Sequence, residues 1–486
     1  MTLLIVSLGA LSVGQSTPDE SARPGEKAYA HFRTRYELYA TIGDLNAEEF
    51  SELREMTVAG TEFNDEDVPF LADLLSLRSL DLSGTQVTNK GLKELGRLQL
   101  PLERLVLADT RISDAGVEHL ASLPRLDSLD LSGTFVSGRG IAQVLNFEGP
   151  LTSLMLGQGV TDDDLKVVPA LQSLETLHLP VDEVTPVGMK RIARSESLRE
   201  LRLHGEGLSP KMLIEVATMS RLKRLDVSGF ARLNDRALQI LAPMQALTHL
   251  DLSGTGVTDR GMRLLAKLRN ISHLDISETA VTDAGMKPLG EMVWSEEGEN
   301  FALEPSTKIT HLDIGSTAIG DRGLEHIRLL ALEHLDIAGT QVTNRSDDEL
   351  AGWKLKSLDI SGESGLTDLS FLQSMPELQR LNLAGRPRLM SQMNKLEDHP
   401  SLEVLDISGT DFKDFATMKL MTLENLRRLN AGGTQVSLDS LVSLAAKTKL
   451  EYVNLAGTRI MVHGDQRRES LPGVRLSRSE AFSILD

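Results

Sequence analysis

The chain has 486 residues, a formal net charge of −19 and 41% hydrophobic residues, but only 4% aromatics and no cysteine. That charge excludes nucleic acid and anionic membranes as partners, since neither phosphates nor acidic lipids attract such a surface. The lack of cysteine removes thiol nucleophiles, disulfides and cysteine-ligated zinc.

From the N-terminus, Leu3 to Val13 is an apolar run followed by the small residues Gly14 and Ser16 and a polar stretch from Thr17 to Lys27. The run is too short to span a bilayer, which takes roughly 20 helical residues. It reads as the core of a signal peptide over residues 1–16, although no cation precedes it; the alternative is an ordinary apolar tail. Residues 17–50 read as a linker and capping helix, with Tyr29, Phe32, Tyr36 and Tyr39 three or four apart on one helical face. No other segment looks membrane-spanning, so no insertion is expected once the leader is removed.

From about residue 51 to 476 one phrase returns seventeen times, as in Leu80-Asp-Leu-Ser-Gly-Thr-Gln-Val-Thr88. Its first apolar residue falls at Met56, Leu80, Leu105, Leu129, Leu154, Leu177, Leu201, Leu225, Leu250 and Leu274. It resumes at Leu312, Leu335, Leu358, Leu381, Leu405, Leu429 and Val453. Such a period marks a solenoid, in which each unit buries its apolar side only against its neighbours. Leu-x-Leu alternates as a short strand, so the residue between the leucines faces the opposite side. A threonine five residues after the first leucine, as at Thr85, Thr255 and Thr279, is expected to bond buried backbone groups along the stack. Thr-Asp-x-Gly-Leu and its variants read as capped helix starts, as at Ser113-Asp114, Thr258-Asp259 and Thr282-Asp283. Leu92, Leu95, Met262 and Leu265 then face inward.

The order Leu-x-x-Leu-x-Leu-x-x-[Thr/Asn]-x-Val resembles the leucine-rich repeat, and the Thr-Asp-x-Gly-Leu continuation is similar to ribonuclease-inhibitor-like and bacterial Ser-Gly-Thr arrays. The resemblance implies an α/β leucine-rich-repeat solenoid, a horseshoe with a concave parallel β-sheet and short convex helices. It also implies a concave face that binds another macromolecule; this is analogy, because fold does not dictate function.

Two departures interrupt the array. The units at Leu154, Leu177, Leu201 and Leu225 carry Gly159, Asp182, Glu206 and Phe230 in place of the threonine, so this stretch is expected to be the most distorted. A bend, a recognition patch and plain decay of the repeat all fit. A long step after Leu274 holds an acidic insertion, 291–308, with Trp294 and Phe301, which reads as a loop projecting from the rim. It is either a binding loop or a tolerated surface insertion. Val474-Arg-Leu476 reads as a closing strand and 477–486 as a tail.

The candidate site lies on the concave face. Aspartate stands between the strand leucines in nine units, six of them consecutive from Asp226 through Asp251, Asp275, Asp313 and Asp336 to Asp359. Two residues earlier, four consecutive units carry His249, His273, His311 and His334. Parallel strands lie ~4.8 Å apart, so neighbouring carboxylates repel by about 1 kcal/mol per pair even in water. Three readings stand: solvated charges with histidine as mild compensation, as at Arg104, Arg224, Arg380 and Arg428; a contact surface for a cationic partner; or a divalent-metal site. Crowded carboxylates and histidines beside them are both expected to have raised pKa values.

No nucleophile elbow, phosphate-binding loop, metalloprotease helix or EF-hand spacing is present, and no catalytic residue, cofactor or metal is assigned. The expected function is a noncatalytic protein-binding scaffold, secreted or in the cell envelope. The alternatives are a cytoplasmic adaptor, such as the substrate-reading subunit of an F-box-type ubiquitin-ligase assembly, and an extracellular spacer. Sequons at Asn270 and Asn344 bear on this only in a eukaryotic secretory pathway.

Overall fold

A computed structural model describes residues 2–4, 26–35, 47–297, 300–305, 307–363, 365–386, 388–458, 460, 471 and 474–477. The chain divides into two compact units, 1–225 and 226–486. In both, a coil consists of a short strand, a tight turn, a short α- or 3₁₀-helix and a return segment. Each of the seventeen apolar positions named above occupies a strand.

In the first unit the strands are parallel and in register, with Met56 opposite Leu80, Leu80 opposite Leu105, and so on through Leu129, Leu154, Leu177 and Leu201. Helix Glu26–Arg35 lies over the first coil: Phe32 is fully buried, stacked at 6.1 Å on Phe63, and Tyr29 meets Phe50 edge-on at 5.8 Å. Tyr36 and Tyr39 lie outside the described residues. So does Ile5–Ser16 of the expected leader, whereas Thr2–Leu4 forms a strand parallel to Glu55–Thr57.

The stretch expected to be most distorted keeps its register. Strands Thr176–Pro180 and Glu200–His204 run longer than their neighbours and stay paired as far as Pro180 and His204. Two of the four units without the threonine extend the strand in this way, whereas Ser153–Met155 and Arg224–Asp226 keep the usual three residues.

The second unit aligns Leu250, Leu274, Leu312, Leu335, Leu358, Leu381, Leu405, Leu429 and Val453 in one buried row. Strand Arg475–Ser477 pairs with Tyr452–Asn454 and closes it, as the sequence implied. The insertion does not break the row, since His273 pairs with His311 directly across it. It is not a loop but a two-stranded antiparallel hairpin, Met292–Glu297 with Asn300–Pro305.

The repeat motifs do different work from that expected of them. The threonine hydroxyl does not bond along the stack; it closes its own turn, as Thr255 donates to Leu252 O at 2.6 Å and Thr279 to Ile276 O at 2.6 Å. Backbone amides make the bonds along the stack, Leu252 N–H to Asp275 O and Gly254 N–H to Ser277 O, both 2.9 Å. The helix-start aspartate likewise reaches the next coil. Asp235 accepts from the N–H and hydroxyl of Thr258 at 2.9 and 2.8 Å, and Asp259 from those of Thr282 at 2.7 and 2.8 Å. Thr258 and Thr282 do cap their own helices at 3.4 Å, whereas Ser113 makes no side-chain cap bond. This rung explains the motif glycine: a Cβ on Gly261 would lie 2.6 Å from Asp235 Oδ1, and one on Gly285 2.6 Å from Asp259 Oδ1.

Candidate functional site: two columns on the open sheet face

In each His-Leu-Asp strand of the second unit the leucine is buried and its two neighbours are half-buried on the opposite face. Parallel in-register pairing places histidine beside histidine and aspartate beside aspartate. All nine candidate residues therefore lie in two columns on one face, and Asp359 continues the acid column. Trp294 and Phe301 belong to the separate hairpin, where they pair with Leu303 and Glu296.

The aspartates are fixed in place. Each Oδ1 accepts the N–H two residues on: Asp226 from Ser228, Asp251 from Ser253, Asp275 from Ser277, Asp313 from Gly315, Asp336 from Ala338 and Asp359 from Ser361, all at 2.8–2.9 Å. This Asx turn ends the strand and explains why aspartate is the repeat's default residue there. The hydroxyls of Ser253 and Ser277 add a second bond at 2.7 Å to Asp251 and Asp275. Gly315 and Ala338 have none to give.

Carboxylates held this way cannot swing apart. Burial and then the Asp275 charge raise Asp251 to about 6. Asp275 is also raised, chiefly by burial and against two bonds from Ser277. In Asp313 and Asp336 burial again dominates; the Asp275 charge adds to the first, and Asp313 and Asp359 to the second. Both lie well above the ordinary carboxylate value.

The histidines form a face-to-face stack with ring centroids 3.8, 3.7 and 4.0 Å apart and planes within 19° of parallel. Each Nδ1 of the first three is 2.9 Å from the hydroxyl of the preceding residue, Thr248, Ser272 or Thr310. His334 follows Glu333 instead, and its buried Nδ1 has no partner. At His311 and His334 the expected rise in pKa is not found. Burial, followed by the neighbouring His334, lowers His311 to about 4, and burial lowers His334 against the opposing Glu333 charge. Glu333 is itself engaged by Lys356 at 2.7 Å. A ring covered on its faces by other rings loses water without gaining a close carboxylate, and burial wins.

Nearly parallel rings direct their nitrogen lone pairs side by side rather than toward a common point, so the stack does not make a tetrahedral metal site. Among the described residues no group of three or more histidines or acids is placed to hold a metal ion.

Two features of the site escaped the sequence reading. The Asx turns were signalled by the Asp-x-Ser/Gly/Ala spacing, and the hydroxyl supports by Thr-His and Ser-His in three of four units. Elsewhere, in the first unit, His31 bonds the fully buried Asp67 at 2.7 Å while stacking on Phe70 at 3.6 Å, and no spacing announced it.

A leucine-rich-repeat family model matches residues 74–96, 244–266, 267–290 and 306–327. Among solved structures, an internalin from Listeria monocytogenes is 20% identical over 75% of this chain and 96% of its own, with a TM-score of 0.40. The mouse RP105/MD-1 complex contains a chain 18% identical over 89% of this chain and 80% of its own, TM-score 0.44. The Arabidopsis receptor kinase HAESA ectodomain, solved with an N-terminally extended IDA peptide hormone, is 15% identical over 85% and 71%, TM-score 0.34. No curated protein matches the sequence. Among the described residues no helix is long and apolar enough to cross a membrane.

Proposed function

We propose that this leucine-rich-repeat solenoid is a noncatalytic, exported interaction scaffold that binds a cationic polypeptide along the columns Asp226–Asp359 and His249–His334. One observation carries the reading. The strand-ending turn needs only an oxygen acceptor, and Asn382, Asn430 and Asn454 supply it in later coils, accepting from Ala384, Gly432 and Ala456 at 2.9–3.1 Å. Six consecutive aspartates are therefore more charge than the turn requires. Crowded, half-buried carboxylates oppose folding, and a cationic partner neutralises them when it binds. The columns contain no nucleophile and no convergent metal ligands, which fits binding rather than catalysis.

The test is calorimetric titration of a lysine decapeptide into the chain and into an Asp313→Asn/Asp336→Asn variant. The reading expects salt-sensitive binding that weakens at least about tenfold in the variant, a plausible loss for two desolvated charge contacts. Equal affinity for both chains sinks it.

One observation favours a non-exported adaptor instead: Thr2–Leu4 is paired in register with Glu55–Thr57, a contact that leader cleavage would remove. The intact mass of protein purified from its native source separates the two. Loss of about sixteen residues supports export, and a retained N-terminus supports the adaptor.

A further inference from the structure

The histidine stack runs beside the acid column, and its geometry resists charging. A proton on one ring places a positive charge within 4.0 Å of the next ring, with no room between the faces for water. The Nδ1 supports from Thr248, Ser272 and Thr310 hold the rings in this spacing. His334, at the end of the stack, has a buried nitrogen with no partner.

The charged groups around the stack are few. Glu333 and Lys356 form an ion pair beside it, Arg380 lies two strands beyond His334, and the aspartates from Asp226 to Asp359 run alongside. Glu333 favours a charged ring, while Lys356 and Arg380 oppose one. Because the Glu333 carboxylate is bonded to Lys356, its influence on the rings is partly spent.

We propose that the stack is an acid-triggered release built into the binding face. Uncharged and stacked, it adds no positive charge beside the acid column; protonated, adjacent rings repel and separate, and a cationic partner is expelled. The proposal rests on the cationic-partner reading above. As pH falls Asp251, Asp313 and Asp336 take up protons first, which thins the negative charge, and His311 follows well below the ordinary imidazole value. Both steps weaken the hold on a cation, so they act in one direction.

Two arms test it on the full chain. In the first, ring resonances of ¹³C-histidine-labelled protein are titrated without any partner and assigned by single substitutions. His311 and His334 should titrate below the free value of ~6.5, and His273→Gln should raise the midpoint of the His311 ring stacked on it. Midpoints at or above the free value, or a His311 midpoint unmoved by the substitution, overturn the stack as a coupled unit. In the second arm the lysine decapeptide is titrated at pH 8.5 and pH 3.5. Wild-type affinity should fall at least about tenfold, and His273→Gln/His311→Gln should lose less over the same step, as linkage requires if the rings take up protons on release. An equal loss in wild type and variant overturns the release role. Absence of binding at pH 8.5 removes the partner on which the release depends, while the ring titration still judges the stack by itself. Thermal melts of each variant at both pH values ensure that an unfolded chain is not read as a released one.

Discussion

Two stretches of the second unit use the same turn in opposite ways. Between Asp226 and Asp359 every coil ends its strand with a carboxylate. From Asn382 to Asn454 asparagine enters: Asn382 Nδ2 donates to Asp359 Oδ2 at 2.6 Å, and Asn430 Nδ2 to Asp406 Oδ2 at 2.7 Å. There the column bonds to itself, and acid no longer faces acid. The histidine stack is confined to the acid stretch, while the corresponding later positions hold Arg380, Val404, Arg428 and Tyr452, with Arg428 over the Tyr452 ring at 5.6 Å. A second contrast runs the same way. The turn residue with left-handed φ is glycine in all the later coils, at Gly385, Gly409, Gly433 and Gly457, and in four of the six acid coils, at Gly229, Gly254, Gly339 and Gly362; in the other two Glu278 and Ser316 take it, at 55° and 54°. The later coils are built for stability, and the acid stretch gives some of it up.

That contrast can be pressed from both sides. Converting the acid stretch to the later pattern with Asp313→Asn/Asp336→Asn should raise stability at pH 8 by about 2 kcal/mol, because two raised carboxylates no longer have to ionise. Urea unfolding measures it, and no gain would mean the crowding costs nothing. The converse change, Asn430→Asp, replaces a bonded rung with a second carboxylate beside Asp406 and should cost about 1–2 kcal/mol at pH 8. It should cost less at pH 5, where one of the two carboxylates can hold a proton.

The pH dependence sets two groups against each other. Asp251, Asp275, Asp313 and Asp336 have raised pKa values, so their contribution is fully present below the ordinary carboxylate value and is lost as pH rises through their folded values. His311 and His334 are lowered, so theirs is present above the free imidazole value and lost as pH falls toward about 4. Between pH 6.5 and 8 only the aspartates act, and the melting temperature should fall by a few degrees across that window. A flat profile, or a rise, would contradict the column. The smallest effect belongs to the turn: Glu278→Gly should stabilise by about 0.5–1 kcal/mol, since glycine adopts the left-handed conformation without the Cβ penalty. The same change at a position with ordinary φ should destabilise.

Much of this molecule was legible in its sequence, for a physical reason. A repeat that stacks on itself turns spacing into position, so Leu-x-Leu located the strands and His-Leu-Asp located both columns without any knowledge of the return path. What spacing could not show was which partner each polar group chooses. The threonine hydroxyl had backbone carbonyls available in its own turn and in the next coil, and took the nearer one. Asp259 stood at an expected helix start, yet it and Asp235 bond one coil onward, and only the clash they would make with a Cβ on Gly261 or Gly285 shows why glycine follows. The sign of the histidine shift was missed because the sequence shows that rings and acids are neighbours, but not that the rings cover one another.

The central claim is that the acid column holds protons the unfolded chain would give up. Carboxyl ¹³C titration of the aspartates, assigned by Asp→Asn substitution in the free full-length chain, tests it most directly. The account predicts that Asp251, Asp313 and Asp336 are still taking up protons above pH 5.5. Midpoints for all three near the ordinary value of ~4 would contradict it.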